Sequence, residues 1–465
     1  MILIFSLSKK LKWERSFLNT ANEVQGVLVS PSKCFQTECS CAERSGQCLA
    51  KEGAILAENK YPWWLILDDF HGYGVNIKNE TSVFQDIKTK ILIKGPLTVA
   101  EYMKAILTDP IGGYYMHSDV FGGKGDFTTS PEISQLFGEM IAVWLISEWQ
   151  KLGCPKPFQI VELGPGRGTM LDDVLRVFRK FGANKDMSVR LVEVSPHLSQ
   201  LQGKLLCQSV ERCNTNTDIH YQKGLMKDSV PAYWYNSLQD VPHQFSLVIA
   251  HEFFDALPIH KFQKTENGWR EILIDIDESS EDKLRFIISR NENTSLQDVY
   301  HTEKRDHFEV SPESGVIMDY LATLLRRKGG IVLVADYGHD GDGKDTFRAY
   351  KNHKQIHPLE SPGSADLTAD VDFAYLRSVV GEGRVISYGP VTQRDFLQRM
   401  GIDIRCEILK KRSQNDSDKE ALESGLKMLT DEDQMGVRFK FQSFFPVVLK
   451  DYLEKNPVSG FFSNQ

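Results

Sequence analysis

Phe158-Gln159-Ile160-Val161-Glu162-Leu163-Gly164-Pro165-Gly166-Arg167-Gly168-Thr169 runs a short apolar strand into a glycine-rich turn that opens a helix. The helix is predicted over residues 169–181, with Leu171, Val174, Leu175 and Phe178 on one face. Glycines at 164, 166 and 168 clear side chains from the place where a ligand meets a helix N-terminus. Their G-x-G-x-G spacing departs from the dinucleotide fingerprint G-x-G-x-x-G, whose third glycine falls where this chain has Thr169. The turn therefore favours a nucleoside over a pyrophosphate, and a nicotinamide oxidoreductase is the weaker alternative.

Outward from this unit, strand and helix patterns alternate. Strands are read at 189–194, 219–222 and 245–250, and a helix at 196–206. Residues 330–336 form a continuous apolar strand of the buried parallel type. This predicts an α/β fold with a doubly wound, Rossmann-like sheet; six of its strands are read directly, and a seven-stranded sheet is expected. Residues 269–277 and 283–290 interrupt the alternation as an inserted antiparallel hairpin. A helix over 392–400 is capped by Gly401, and 404–409 is read as the strand that closes the sheet.

Upstream, Thr98-Val99-Ala100-Glu101 is a capping box that starts a helix lasting until Pro110. Ser130-Pro131 begins another, with Ile133, Leu136, Phe137, Met140, Ile141, Trp144 and Leu145 as one apolar stripe. The glycine-rich stretch 112–125, which holds Tyr114 and Tyr115, reads as a connector or a lid. The expected organisation is an N-terminal extension of poor order over 1–85, a helical cap over 86–155, the main domain over 156–446 with its hairpin near 268–291, and a C-terminal tail over 447–465.

The chemistry follows from the strand ends. Glu193 comes roughly 25 residues after Gly168 at the end of the next strand, where a parallel neighbour presents an acid to ribose hydroxyls. Glu162 ends the adjacent strand and can orient the turn and an ammonium. A sulfonium nucleoside, S-adenosyl-L-methionine, fits this set: Glu162, Gly164, Gly166, Gly168, Thr169 and Glu193 form the expected cofactor seat, and the sheet becomes that of a methyltransferase. The strand at 245–250 delivers His251-Glu252-Phe253-Phe254-Asp255 to the same edge. Glu252 and Asp255 can grip a planar cation such as guanidinium. His251 can take the proton lost on methylation. A purely structural role for the two acids is the alternative. Asp336, in Ala335-Asp336-Tyr337-Gly338, is a further acid on that edge.

Bulk properties narrow the class. Of 465 residues, 41% are hydrophobic and 25% charged, and the formal charge of -8 carries no basic field for nucleic acid. Cys34, Cys39, Cys41 and Cys48 lack paired C-x-x-C spacing and read as reduced thiols, so no metal site is expected. No apolar run nears the roughly 20 residues needed to span a bilayer, and no secretory signal is read at residues 1–7.

Gly125-Asp126-Phe127-Thr128-Thr129-Ser130-Pro131-Glu132-Ile133-Ser134, the turn at 161–169, the stretch 251–258, Ala335-Asp336-Tyr337-Gly338-His339 and Asp366-Leu367-Thr368-Ala369-Asp370-Val371-Asp372-Phe373 together resemble the MidA-like mitochondrial arginine methyltransferase family. The resemblance runs from about 85 to about 446. Residues 1 to about 85 do not look like that family's basic leader, and 449–465 look unrelated to it. What it implies is a mitochondrial matrix protein that symmetrically dimethylates an arginine of a respiratory complex I subunit and supports assembly of that complex. Gly164, Gly166, Gly168 and Glu193 then correspond to cofactor residues, and His251, Glu252 and Asp255 to the acceptor side. A non-catalytic assembly scaffold that keeps the same fold is the alternative.

Overall fold

The computed structural model of the protein describes residues 82–117, 128–213, 219–290, 303–381 and 383–461. The expectation for 1–81, the four cysteines at 34–48 and most of the glycine-rich stretch lie outside the described residues.

The main sheet contains, in chain order, β1 (Phe158–Leu163), β2 (Met187–Val192), β3 (Ser209–Arg212), β4 (Gln222–Leu225), β5 (Pro231–Tyr235), β6 (Phe245–His251), β7 (Gly330–His339), β8 (Val385–Thr392) and β9 (Phe439–Pro446). They lie in the order β8-β9-β7-β6-β1-β2-β5-β4-β3. The pairs β7/β6, β6/β1, β1/β2 and β2/β5 are parallel. β9 runs antiparallel to both of its neighbours. The span from β8 to β5 is thus the expected seven-stranded sheet, widened at one edge by the antiparallel pair β3 and β4.

Both faces of the centre are covered, which is why β1 is apolar along most of its length and buried at every position. Side-chain alternation divides the core. Ile160, Leu247 and Leu333 pack on one face with the helices Gln135–Lys151 and Thr169–Lys180. Val161, Val248 and Val334 pack on the other with Pro312–Lys328 and Phe373–Val380. Strand order reverses between β1 and β6, and a crevice opens beyond their carboxyl ends.

Thr98 and Glu101 form the expected capping box, with Thr98 Oγ1 accepting from Glu101 N at 3.1 Å and Glu101 Oε2 from Thr98 N at 2.9 Å. The helix read from Ser130 onward is two helices, Ser130–Ile133 and Gln135–Lys151. Ser134 breaks the run in extended backbone and caps the second helix through its own hydroxyl. The inserted hairpin, Gly268–Asp277 with Ser280–Ile288, belongs to a separate five-stranded sheet together with Leu97–Thr98, His260–Thr265 and His307–Val310.

Two strand readings fail. The third parallel strand is β5, not residues 219–222; the chain first makes the antiparallel β3/β4 pair, and Pro231 then opens β5 at the one strand position where a missing N–H costs little. Residues 404–409 lie in the helix Ile402–Arg412, whose buried residues Ile402 and Cys406 stand four apart while Ile404 is 68% exposed. The closing strand is β9. Beyond it, Val458 is fully buried and the Trp144 indole donates to Ser459 O at 2.8 Å, so 447–461 packs on the helix Gln135–Lys151.

Candidate active site

The turn after β1 is built from left-handed backbone: φ is 62° at Gly164, 56° at Gly166 and 86° at Gly168. A Cβ at Gly164 would stand 3.0 Å from the Phe253 ring, so the turn also needs that glycine to pass the acceptor segment. Gly168 precedes the helix Thr169–Lys180.

Glu193, just past β2, is nearly buried. Its Oε1 accepts from Ser195 N at 2.8 Å, and its Oε2 accepts from Gln202 Nε2 at 3.0 Å. The same Gln202 amide donates to Gly166 O at 2.7 Å, and its oxygen accepts from the Trp234 indole at 2.8 Å. Gln202 therefore locks acid and turn into one unit. Burial pushes the Glu193 carboxyl up to about 7, against the pull of Ser195 and Gln202. Burial, reinforced by Glu193, pushes Glu162 up to about 8. Glu162 Oε2 is buried with no hydrogen-bond partner among the described residues.

His251, Glu252 and Asp255 stand at the end of β6 on a turn, not on a helix. Glu252 has φ 47°, a conformation that costs a non-glycine residue about 1–3 kcal/mol. Its Oε1 accepts from Ser130 N at 3.4 Å and lies 3.1 Å from His251 Nε2. The His251 ring rests on Phe137, with centroids 4.9 Å apart. Asp255 Oδ2 accepts from the hydroxyls of Tyr337 and Thr368. Asp255 Oδ1 is buried without a partner among the described residues. Burial, with Glu252 adding to it, raises Asp255 to about 6.

Asp336 is fully buried and serves the turn itself. Its Oδ2 accepts from the backbone N–H groups of Phe253 (3.2 Å), Phe254 (3.1 Å) and Asp255 (3.4 Å). Burial and the charges of Asp255 and Glu252 push it well above the carboxylate range. Asp366 accepts from the Tyr115 hydroxyl at 2.7 Å and is pushed up to about 8, chiefly by burial.

The glycine turn from Gly164 to Arg167, Thr169, Glu162, Glu193, His251, Glu252, Asp255 and Asp366 line one cavity of about 1220 Å³. Gly168 and Asp336 act from behind its wall, on the turn and on the acceptor segment respectively. Its lining holds two sets of groups, first the glycine turn with Glu162 and Glu193, and second Glu252, Asp255 and Asp366. A group with an ammonium and ribose hydroxyls suits the first set, because Glu162 offers an unsatisfied oxygen and Glu193 an acid already oriented. A planar cation suits the second, where three carboxyls converge and Asp255 offers a free oxygen. No cluster able to hold a metal ion occurs among the described residues.

The family of S-adenosyl-L-methionine-dependent methyltransferases matches residues 140–391. The human mitochondrial protein arginine methyltransferase NDUFAF7 is 49% identical over 372 residues, covering 79% of this chain and 84% of that protein. Its counterpart in Xenopus tropicalis is 52% identical, covering 80% of this chain and 87% of its own. The chain belongs to this protein arginine methyltransferase family. The Drosophila melanogaster homologue, also named mitochondrial, is 48% identical over 82% of the chain. A crystal structure from Burkholderia thailandensis bound to S-adenosyl-homocysteine shares the fold, with a TM-score of 0.64 at 19% identity, covering 79% of this chain and 92% of its own. The cofactor of this methyltransferase is S-adenosyl-L-methionine.

Of the site residues expected from the sequence, the structure brings all but Gly168 to the lining of this cavity. Sequence reasoning passed over Gln202, Tyr115, Tyr337, Thr368 and Asp366. Among the described residues, no helix is long and apolar enough to cross a membrane.

Proposed function

We propose that the methyltransferase transfers methyl groups from S-adenosyl-L-methionine to an arginine of a respiratory complex I subunit, forming symmetric dimethylarginine in the mitochondrial matrix and supporting assembly of that complex. The observation that carries the reading is the one cavity whose lining holds both the glycine turn and the acids Glu252 and Asp255. The naming of relatives as mitochondrial protein arginine methyltransferases supports the acceptor and the compartment.

The bound cofactor supplies an electrophilic methyl carbon on a sulfonium. Gly164, Gly166 and Gly168 would give it backbone clearance, Glu193 would accept from its ribose hydroxyls and Glu162 would face its ammonium, while Thr169 opens the helix that follows the turn. Glu252 and Asp255 hold the guanidinium in charge-assisted bonds and aim one nitrogen, so that much of the barrier is met by alignment. Free arginine stays protonated at any cellular pH, so transfer must shed a proton. Glu252 takes it first, and His251, whose Nε2 stands 3.1 Å from Glu252 Oε1, receives it.

Incubation with labelled S-adenosyl-L-methionine and complex I subunits is expected to place label in symmetric dimethylarginine. Glu252→Gln removes the label and leaves binding of S-adenosyl-homocysteine intact. Label on lysine or on RNA refutes the acceptor assignment.

A further inference from the structure

Glu132 sits on the short helix Ser130–Ile133, in the cavity's lining, and both of its carboxyl oxygens are spent on the glycine turn. Oε1 accepts from the Thr169 hydroxyl, and Oε2 lies 3.3 Å from Arg167 Nη1. Two residues earlier, the Ser130 N–H donates to Glu252 Oε1 at 3.4 Å. One short helical turn therefore touches the cofactor side through a side chain and the acceptor acid through its backbone.

That turn is stiff. Pro131 fixes its φ, Ser130 is fully buried, and Ser134 is pressed against the helix Asp416–Thr430, where a Cβ on Gly425 would stand 3.0 Å from Ser134 Cβ. Glu252 is the opposite case. Its left-handed backbone persists only because neighbours hold it, and these are Ala335 O on its backbone, with Ser130 and His251 on its carboxylate. A displacement of Thr169 or Arg167 passes through Glu132 to Ser130 as a rigid shift, and Glu252 has few other restraints with which to resist it. The Arg167 contact is 39% exposed on its arginine, where an ion pair adds little stability, so a purely stabilising role explains the arrangement poorly.

We propose that Glu132 is a positioning residue that couples the glycine turn to Glu252, so that seating the cofactor orders the acceptor acid. The inference rests on the reading that the turn seats the cofactor and that Glu252 faces the guanidinium.

Hydrogen exchange of the full chain, with and without saturating S-adenosyl-homocysteine, tests it. The wild type is expected to gain protection at 164–170, at 128–134 and at 251–255. E132A keeps the gain at 164–170 and loses it at 251–255. E132Q still offers an oxygen to Thr169 and retains most of the gain, which separates loss of the link from loss of folding. In turnover, E132A raises the KM for the acceptor by about tenfold while the Kd for S-adenosyl-homocysteine stays within about threefold, a coupling of ordinary size. Equal protection of 251–255 in the wild type and E132A overturns the proposal, as does no gain there in the wild type. Absence of any protection at 164–170 instead brings down the cofactor reading, a failure visible before Glu132 is touched.

Discussion

Asp336→Ala isolates the group that shapes the acceptor segment. The Asp336 carboxylate accepts from three consecutive amides at 3.1–3.4 Å and from Tyr337 N at 3.0 Å. Removing it leaves those amides short of an acceptor in a fully buried place, at roughly 1–3 kcal/mol for each amide that finds no substitute. Relief of repulsion with Asp255 and Glu252 offsets part of this. A net loss of about 3 kcal/mol follows, and in a protein of this size that lowers the melting temperature by roughly 3 °C. The larger effect falls on turnover, because a misplacement of about 1 Å in Glu252 and Asp255 can cost about a hundredfold. Asp336 makes no hydrogen bond to the glycine turn, so affinity for S-adenosyl-homocysteine holds. Asp336→Asn keeps one accepting oxygen and falls between. Scanning calorimetry, cofactor titration and initial rates on the three proteins decide the matter. An Ala variant that melts and turns over like the wild type refutes the view that Asp336 builds the segment.

Glu252→Gly relieves the φ of 47° and raises stability by about 1 kcal/mol while abolishing transfer; an unchanged or lower melting temperature counts against backbone strain at that position. Glu162 and Glu193 are raised to about 8 and about 7 from 4.5, so the stability of their protonated forms is present below pH 4.5 and lost as pH rises through 7 to 8. The free enzyme should melt lower at pH 8.5 than at pH 6, and its affinity for S-adenosyl-homocysteine should move the other way, because the cofactor's ammonium and hydroxyls favour ionised carboxyls. Titration in two buffers of different ionisation heat checks the accompanying proton release. Tyr337→Phe removes a donor that holds the Asp255 carboxyl down, so the acid limb of the pH–turnover curve moves to higher pH; a stationary limb shows that Asp255 is not the group titrating there.

The glycine turn and its flanking strand and helix were legible because local backbone demands dictate them: three residues at positive φ call for glycine, and β1 needs apolar side chains on both faces. The capping box at Thr98 and the inserted hairpin are equally local. β5 was missed because Pro-Ala-Tyr-Trp-Tyr opens on a residue that normally argues against a strand, and the helix at 402–412 because its isoleucines at 402, 404 and 408 mimic alternation. The acceptor end defeats sequence reasoning for another reason. Tyr115 meets Asp366, and Asp255 meets Tyr337 and Thr368, across separations of 251, 82 and 113 residues, and no periodicity records such meetings. Asp336 looked like one more candidate acid because its type says nothing of the three amides that occupy it.

The place of β9 has a consequence for how the molecule is made. It is the last strand among the described residues, yet it lies between β8 and β7 and hydrogen-bonds to both. A ribosome or a translocation pore delivering the chain from its amino end leaves β7 with a bare edge and β8 without a neighbour until Phe439–Pro446 has emerged. During that interval the nascent sheet needs shielding by a chaperone, and a premature stop anywhere before this strand yields an aggregation-prone product even though every residue of the cavity's chemistry up to Asp366 has already been synthesised.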